Sequence, residues 1–190
     1  MEVVGGILGA FGLSASAGLN AYIPLLVVAV MAKFTPLLNL NGRWEALTSW
    51  WVIGILAVLA LIEFVADKVP AVDHANDAIQ TFIRPVAGAI VFAASTNTIT
   101  EVNPILSLVA GLLVAGSVHT VKSAAVRPLV TASTAGVGDP VISFIEDILA
   151  TLVSVLSVVM PILMVIVLVL VIWWIASWLS KRKRARIITN

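Results

Sequence analysis

Cysteine is absent from the 190 residues, which removes disulfides, thiolate zinc sites and iron–sulfur clusters from the available chemistry. Charge is almost as scarce. Asp, Glu, Lys and Arg make up 11% of the chain and hydrophobic residues 61%, whereas an average soluble domain carries about 25% charged residues. So few charges cannot cover a water-facing surface, and the chain reads as an integral membrane protein whose main partner is the lipid bilayer. A formal net charge of +1 gives no basic footprint for nucleic acid. A basic n-region is also missing. Glu2 opens an apolar run that continues to Ala32, so a retained helix is expected here rather than a cleaved signal peptide. Nothing in the sequence calls for a cofactor, and none is expected.

What is present is a series of apolar segments with punctuation between them. Residues 3–32, at 1.5 Å per residue, exceed the roughly 30 Å hydrocarbon core and must tilt, break or re-enter. The break is expected over residues 14–20, with Gly18 and Asn20 in it, and Gly5, Gly9 and Gly12 form a small-residue stripe that lets another helix approach. A turn-rich connection over 33–43 leads to Trp44, Trp50 and Trp51, an aromatic belt opening a second span that ends near Ala66. Residues 85–98 read as a short third segment started by Pro85, about 20 Å long and short enough to be re-entrant. Asn103-Pro104 starts a fourth helix to about Lys122, with Gly111, Ala115 and His119 on one stripe. A polar loop over 127–138, containing Gly136 and Gly138, precedes a helix started by Asp139-Pro140. Along that helix Ser143, Asp147, Ala150, Ser154 and Ser157 form a stripe suited to a bundle interior. Residues 140–179 are too long for one span and divide near Met160-Pro161, one kinked helix being the alternative. Trp173, Trp174 and Trp178 supply a second belt before the basic run 181–186.

The expected fold is an all-α membrane protein of about six transmembrane or re-entrant helices. A single helical membrane domain spans 1–180, and 181–190 form a basic cytoplasmic tail. Ser16-Ala17-Gly18-Leu19-Asn20 is echoed by Thr134-Ala135-Gly136-Val137-Gly138. The echo admits a 3+3 inverted repeat with broken helices, its halves at 1–98 and 104–180. Six crossings place Lys68, Arg84, Lys122, Arg127 and the tail on one side and only Lys33 and Arg43 on the other. That asymmetry puts both termini on the cytoplasmic face of a plasma membrane, in bacteria the inner one.

Between the second and third segments, residues 66–88 carry Asp67, Lys68, Asp73, His74, Asp77 and Arg84. As a helix, Val72, Ala75, Ile79 and Phe82 share one face and Asp73, Asp77, Gln80 and Arg84 the other, which suits a surface helix with its polar side toward protein or water. A solvated interfacial loop is the plainer alternative. Ionisable groups inside a bilayer cost about 2.5–3.5 kcal/mol each on the insertion scale, so each needs a reason. Glu63, Asp67, Lys68, Asp73, Asp77, Arg84, His119, Lys122, Arg127, Glu146 and Asp147 are the candidate ion or substrate pathway. Glu63 and Asp147 on facing helices can bind a cation or pass a proton, with His119 titrating between them. In the competing reading Glu63 pairs with Lys122, and Asp67 or Asp77 with Arg84, only to hold the bundle. Asp73, His74, Asp77 and His119 suit a hard metal ion but match no known ligand spacing. An anion cradle over 131–138 would be repelled by Asp139, and no Gly-x-Ser-x-Gly accompanies His119.

Glu63, the run Ala66-Asp67-Lys68-Val69-Pro70-Ala71-Val72-Asp73, the run Ile83-Arg84-Pro85-Val86-Ala87-Gly88 and Ser143-Phe144-Ile145-Glu146-Asp147 together resemble a family of small bacterial membrane proteins known only as a domain of unknown function. The resemblance also takes in His119 and Lys122 and covers nearly the whole chain. It implies a polytopic membrane protein and supplies no activity. The residues themselves favour a small transporter or channel, not an enzyme, coupled to a proton or another cation and moving a small ion or solute. A membrane enzyme acting on lipid phosphates and a non-transporting scaffold subunit are the alternatives. A homo-oligomer is expected, since so short a bundle has little surface with which to enclose a pore.

Overall fold

In a computed structural model, which describes residues 2–96 and 102–167 with 169, 170, 173 and 177, the first apolar run forms two helices, α1 (Glu2–Leu19) and α2 (Tyr22–Phe34). For Glu2 and residues 70–75 only the backbone is described. The break is shorter than the sequence implied. Helix continues past Ser14, Ser16 and Gly18, because each hydroxyl finds a buried carbonyl on another helix. Ser14 Oγ donates to Gly88 O at 2.9 Å and Ser16 Oγ to Ala150 O at 2.8 Å. These serines join helices instead of ending one. The interruption comes at Asn20, whose Oδ1 accepts from the Tyr22 and Ile23 amides at 3.1 and 3.0 Å and so satisfies the first free N–H groups of α2. Gly18 is not in the break. It lies in the last turn of α1, where an added Cβ would come within 2.6 Å of the Ala115 carbonyl.

A 3₁₀ turn, Gly42–Thr48, leads into α3 (Trp50–Ala66), capped by Ser49, which accepts from the Val52 amide. The next helix corrects the sequence reading. Pro85 starts nothing, since α4 runs unbroken over Pro70–Thr96 with Pro85 inside it. The expected re-entrant segment is therefore the second half of a longer helix, and its last expected residues, 97 and 98, lie outside the described ones. The buried face explains the continuity. Gln80, Arg84, Ala87, Gly88 and Val91 are all buried at helical spacing on both sides of the proline. One lost backbone hydrogen bond does not outweigh that packing.

Asn103 caps α5 (Pro104–Val121), its Oδ1 accepting from the Ile105 amide at 2.9 Å. Gly111, Ala115 and His119 are buried in a row along it. No loop follows. A π-helical turn, Lys122–Val126, carries the chain directly into α6 (Arg127–Thr134). The polar loop expected over 127–138 shrinks to 135–138, where Ala135 (φ 51) and Gly136 (φ 84) take left-handed conformations. Because a π turn bonds residue i to i+5, it aligns residues five apart. The Arg127 amide bonds the Lys122 carbonyl, and both side chains point inward.

In α7 (Asp139–Val159) the stripe of Ser143, Asp147, Ala150, Ser154 and Ser157 is buried. Helix stops at Met160 and resumes over 161–167, so this stretch is two helices. The belt residues Trp174 and Trp178 and the tail 181–190 lie outside the described residues. Among the described residues three helical stretches are long and apolar enough to cross a membrane, Asn76–Thr96, Pro104–Thr134 and Asp139–Val159. A fourth is the bent pair Gly42–Thr48 and Trp50–Ala66, and α1 and α2 are shorter apolar helices. The protein is an all-α membrane protein. Its outer surface matches that medium, with Trp51, Ile55, Leu61 and Ile62 of α3 all more than half exposed.

Glycines bring α4 and α5 into close contact. A Cβ on Gly111 would lie 2.6 Å from Phe92 Cβ and 2.9 Å from Ala89 Cα, so only glycine lets the two backbones meet there. Gly111→Val is expected to destabilise the protein in detergent by about 2 kcal/mol or more through overpacking. Gly54→Ala, where a Cβ meets nothing within 4 Å, should leave the thermal midpoint unchanged or slightly raised. Equal midpoints for the two variants would contradict the crossing.

Candidate functional site

Arg84 is fully buried on the inner face of α4. Its Nη2 lies 2.9 Å from Glu63 Oε1 and 3.8 Å from Asp67 Oδ2, and its Nη1 lies 3.6 Å from Asp77 Oδ1. Nη1 is also 3.0 Å from His119 Nδ1. A guanidinium has donors and no acceptor, so His119 Nδ1 must accept. Nε2 then carries the ring proton and donates to Thr81 Oγ1 at 3.1 Å, and that hydroxyl donates to the Asp77 carbonyl at 2.9 Å. The geometry thus selects the neutral Nε2–H imidazole.

A second cation sits beside the first. Arg127 Nη1 is 3.0 Å from Asp77 Oδ2, and Nη2 is 3.5 Å from Asp67 Oδ2 and 3.4 Å from Glu146 Oε2, with Ser143 Oγ at 3.1 Å. Lys122 Nζ is 2.8 Å from Glu146 Oε2 and donates to the Leu19 carbonyl at 2.9 Å, at the negative end of α1. Toward the edge, Lys68 Nζ is 3.1 Å from Asp147 Oδ2 and lies 3.4 Å from the centre of the Phe64 ring. Asn20 Nδ2 donates to Asp147 Oδ1 at 3.0 Å, which fastens the break between α1 and α2 to α7.

The structure therefore brings together Glu63, Asp67, Lys68, Asp77, Arg84, His119, Lys122, Arg127, Glu146 and Asp147. The side chains of Asp73 and His74 lie outside the described residues. The pairing differs from the sequence reading in two places. Glu63 pairs with Arg84 rather than Lys122, and Lys122 pairs with Glu146. His119 does not stand between Glu63 and Asp147, since its ring is taken up by Arg84 and Thr81. Gly136 and Gly138 belong to the turn before α7, where the Gly138 amide donates to Thr134 Oγ1. Among the described residues no group of three or more His, Asp or Glu side chains is placed to hold a metal ion. Sequence reasoning missed Tyr22, which lies beside Gln80 and within electrostatic range of Glu63 and Arg84. A lone tyrosine in an apolar run, two residues after Asn20, was the available signal.

Two features separate this network from simple glue. Among the described residues its ion pairs involve five carboxylates and four basic groups. In addition, Glu63 Oε2, Asp77 Oδ1, Gln80 Oε1 and Arg84 Nε are buried without a hydrogen-bond partner among the described residues, a costly state in a low-dielectric interior.

Over residues 7–182 the chain matches the family described as "Domain of unknown function (DUF4126)". No curated protein and no solved structure matches it. The chain belongs to that family.

Removing one partner of a buried ion pair leaves the other uncompensated, typically at a loss of about 3–5 kcal/mol. Arg84→Met should therefore destabilise the protein strongly. Glu63→Gln combined with Arg84→Met should be less destabilised than the sum of the two single changes, since it removes both charges. A double-mutant cycle of thermal unfolding in detergent reads the coupling, and strict additivity would contradict the pair.

Proposed function

We propose that this family member is a small membrane transporter or channel in which a proton or another small cation moves through the buried network around Arg84 and Glu63. The bilayer of this proposal is a plasma membrane, in bacteria the inner one, with both termini on the cytoplasmic side. The inverted 3+3 plan belongs to the same proposal, and what supports it is that both echoing segments end at chain breaks, Asn20 and the 135–138 turn.

One observation carries the reading. Glu63 is about 1% exposed, yet its Oε2 has no hydrogen-bond partner among the described residues. Buried polar groups in a purely structural network are satisfied, whereas a carboxylate with an open acceptor inside a membrane bundle is suited to a visiting cation. Every carboxylate of the described network, Glu63 included, has a basic partner within 4 Å, and this favours a second reading, a scaffold subunit whose charges hold helices together. The lipid-phosphate enzyme has weaker support. Lys122 and Arg84, which would meet a phosphate, are held at 2.8 and 2.9 Å by carboxylates.

Purified protein in liposomes, loaded with a pH-sensitive or cation-sensitive dye, tests the proposal. The wild type should relax an imposed ion gradient faster than empty liposomes, and Glu63→Gln should abolish at least nine-tenths or so of that flux while keeping its helical content. Wild-type liposomes as tight as empty ones, or a folded Glu63→Gln protein with full flux, would favour the scaffold.

A further inference from the structure

We infer that the side chain of Lys68 plugs a binding site for a free primary ammonium cation, and that this is the class of small cation the chain admits; the second half of the inference rests on the transport reading above. Lys68 Nζ donates to Asp147 Oδ2 at 3.1 Å and to the Phe64 carbonyl at 2.9 Å, and it lies 3.4 Å from the centre of the Phe64 ring. The Phe144 ring of α7 is 6.0 Å away. An –NH₃⁺ group carries three N–H donors and no acceptor, and here a carboxylate, a carbonyl and an aromatic face receive it. The Phe64 carbonyl is free to do so, because the Lys68 amide that would close the next α-helical turn bonds the Val65 carbonyl instead. It also belongs to the last turn of α3, the negative end of that helix. The cage is thus shaped for the head of a primary amine, and Lys68 supplies that head from within the chain.

The cage does not depend on Lys68 for its shape. Asp147 Oδ1 is held by Asn20 Nδ2 at 3.0 Å, and the Phe64 and Phe144 rings meet edge to face at 6.3 Å. Lys68 itself lies just past the end of α3, on a flexible four-carbon stem, so its ammonium can leave without breaking a helix. It is also within reach from outside. Its side chain is 24% exposed and that of Asp147 10%, whereas Lys122, the other lysine of the network, is 3% exposed. A lysine displaced to the headgroup boundary keeps its charge in water.

Other cations fit less well. A hard metal ion wants a shell of several oxygens, and around Lys68 Nζ the described residues offer one Asp147 oxygen, one carbonyl and aromatic carbon. A quaternary ammonium would meet the ring but has no N–H for either oxygen. A free primary ammonium replaces Lys68 bond for bond, so the exchange leaves no bare carboxylate behind. Its consequence is mechanical. Lys68 ties the end of α3 to α7 through Asp147, and a free cation in its place fills the cage without that tie. Asp147 in turn is bonded to Asn20 at the break between α1 and α2 and is followed back along the chain by Glu146, which holds Lys122 and Arg127. An entering ammonium therefore meets the buried network at its edge.

Nuclear magnetic resonance of the full chain in lipid nanodiscs, with ¹⁵N in the lysine side chains and methylammonium chloride as probe, tests the site. The Lys68 Nζ signal, identified by its loss in Lys68→Arg, should shift as methylammonium is added. It should stay in place with potassium chloride or tetramethylammonium chloride at the same concentration. In Lys68→Met the plug is gone, and ¹³C-methylammonium should bind about tenfold tighter than to the wild type if Lys68 fills the cage roughly nine-tenths of the time. Adding Phe64→Leu to that variant should weaken binding about two- to fivefold, the worth of one exposed cation–π contact. If Lys68→Met does not fold, the wild-type titration carries the same decision. A Lys68 signal that responds alike to the three salts, or a folded Lys68→Met that takes methylammonium no better than the wild type, would overturn the inference. Selective methylammonium binding by a protein that passes no ion in liposomes would keep the site and remove the transport reading. Ion flux without that binding would do the reverse.

Discussion

A guanidinium shielded from water inside a bilayer protein is tolerable only if anions surround it, and Arg84 sets the arrangement of the rest of the bundle. Its three carboxylate neighbours come from the interior of α3, from the C-terminal end of α3 and from α4 itself. The ring of His119 on α5 closes the fourth side. Holding these groups within 4 Å of the guanidinium fixes how α3, α4 and α5 meet. The glycine contact at Gly88 and Gly111, further along α4 and α5, lets their backbones come close enough. Packing and electrostatics are therefore one constraint, since widening the crossing would also separate Arg84 from His119.

Much of this was legible in the chain. Buried stripes announce themselves by period, and those of α5 (Gly111, Ala115, His119) and α7 (Ser143, Asp147, Ala150, Ser154, Ser157) are buried as spaced. Asn103 caps where an asparagine before proline should. Charges in an apolar chain identify themselves by their rarity, which is why the network members were visible without any contact information.

What was not legible depended on tertiary contacts or on backbone irregularity. Pro85 looks like a helix start by local rule, and only the buried face extending from Gln80 to Val91 keeps α4 whole. Ser14 and Ser16 look like a break until their acceptors, the carbonyls of Gly88 and Ala150, are known. The π turn at Lys122–Val126 has no sequence signature. It nonetheless decides the pairing, because it aligns Lys122 and Arg127 so that both reach Glu146. An α-helical register would send one of them outward. The expected Glu63–Lys122 pair failed because Arg84 of α4 takes Glu63 and Glu146 of α7 takes Lys122.

The function proposed here follows from an imbalance inside an otherwise well-paired network, and that network stands or falls with the burial of Arg84. Nuclear magnetic resonance of protein labelled with ¹⁵N at arginine and histidine, held in nanodiscs and transferred to D₂O, measures this directly. The account predicts that the guanidinium protons of Arg84 stay protected from exchange and correlate with an unprotonated Nδ1 on His119. Rapid exchange of the Arg84 protons, with no contact to His119, would mean that the guanidinium faces water or headgroups and that the buried network does not exist.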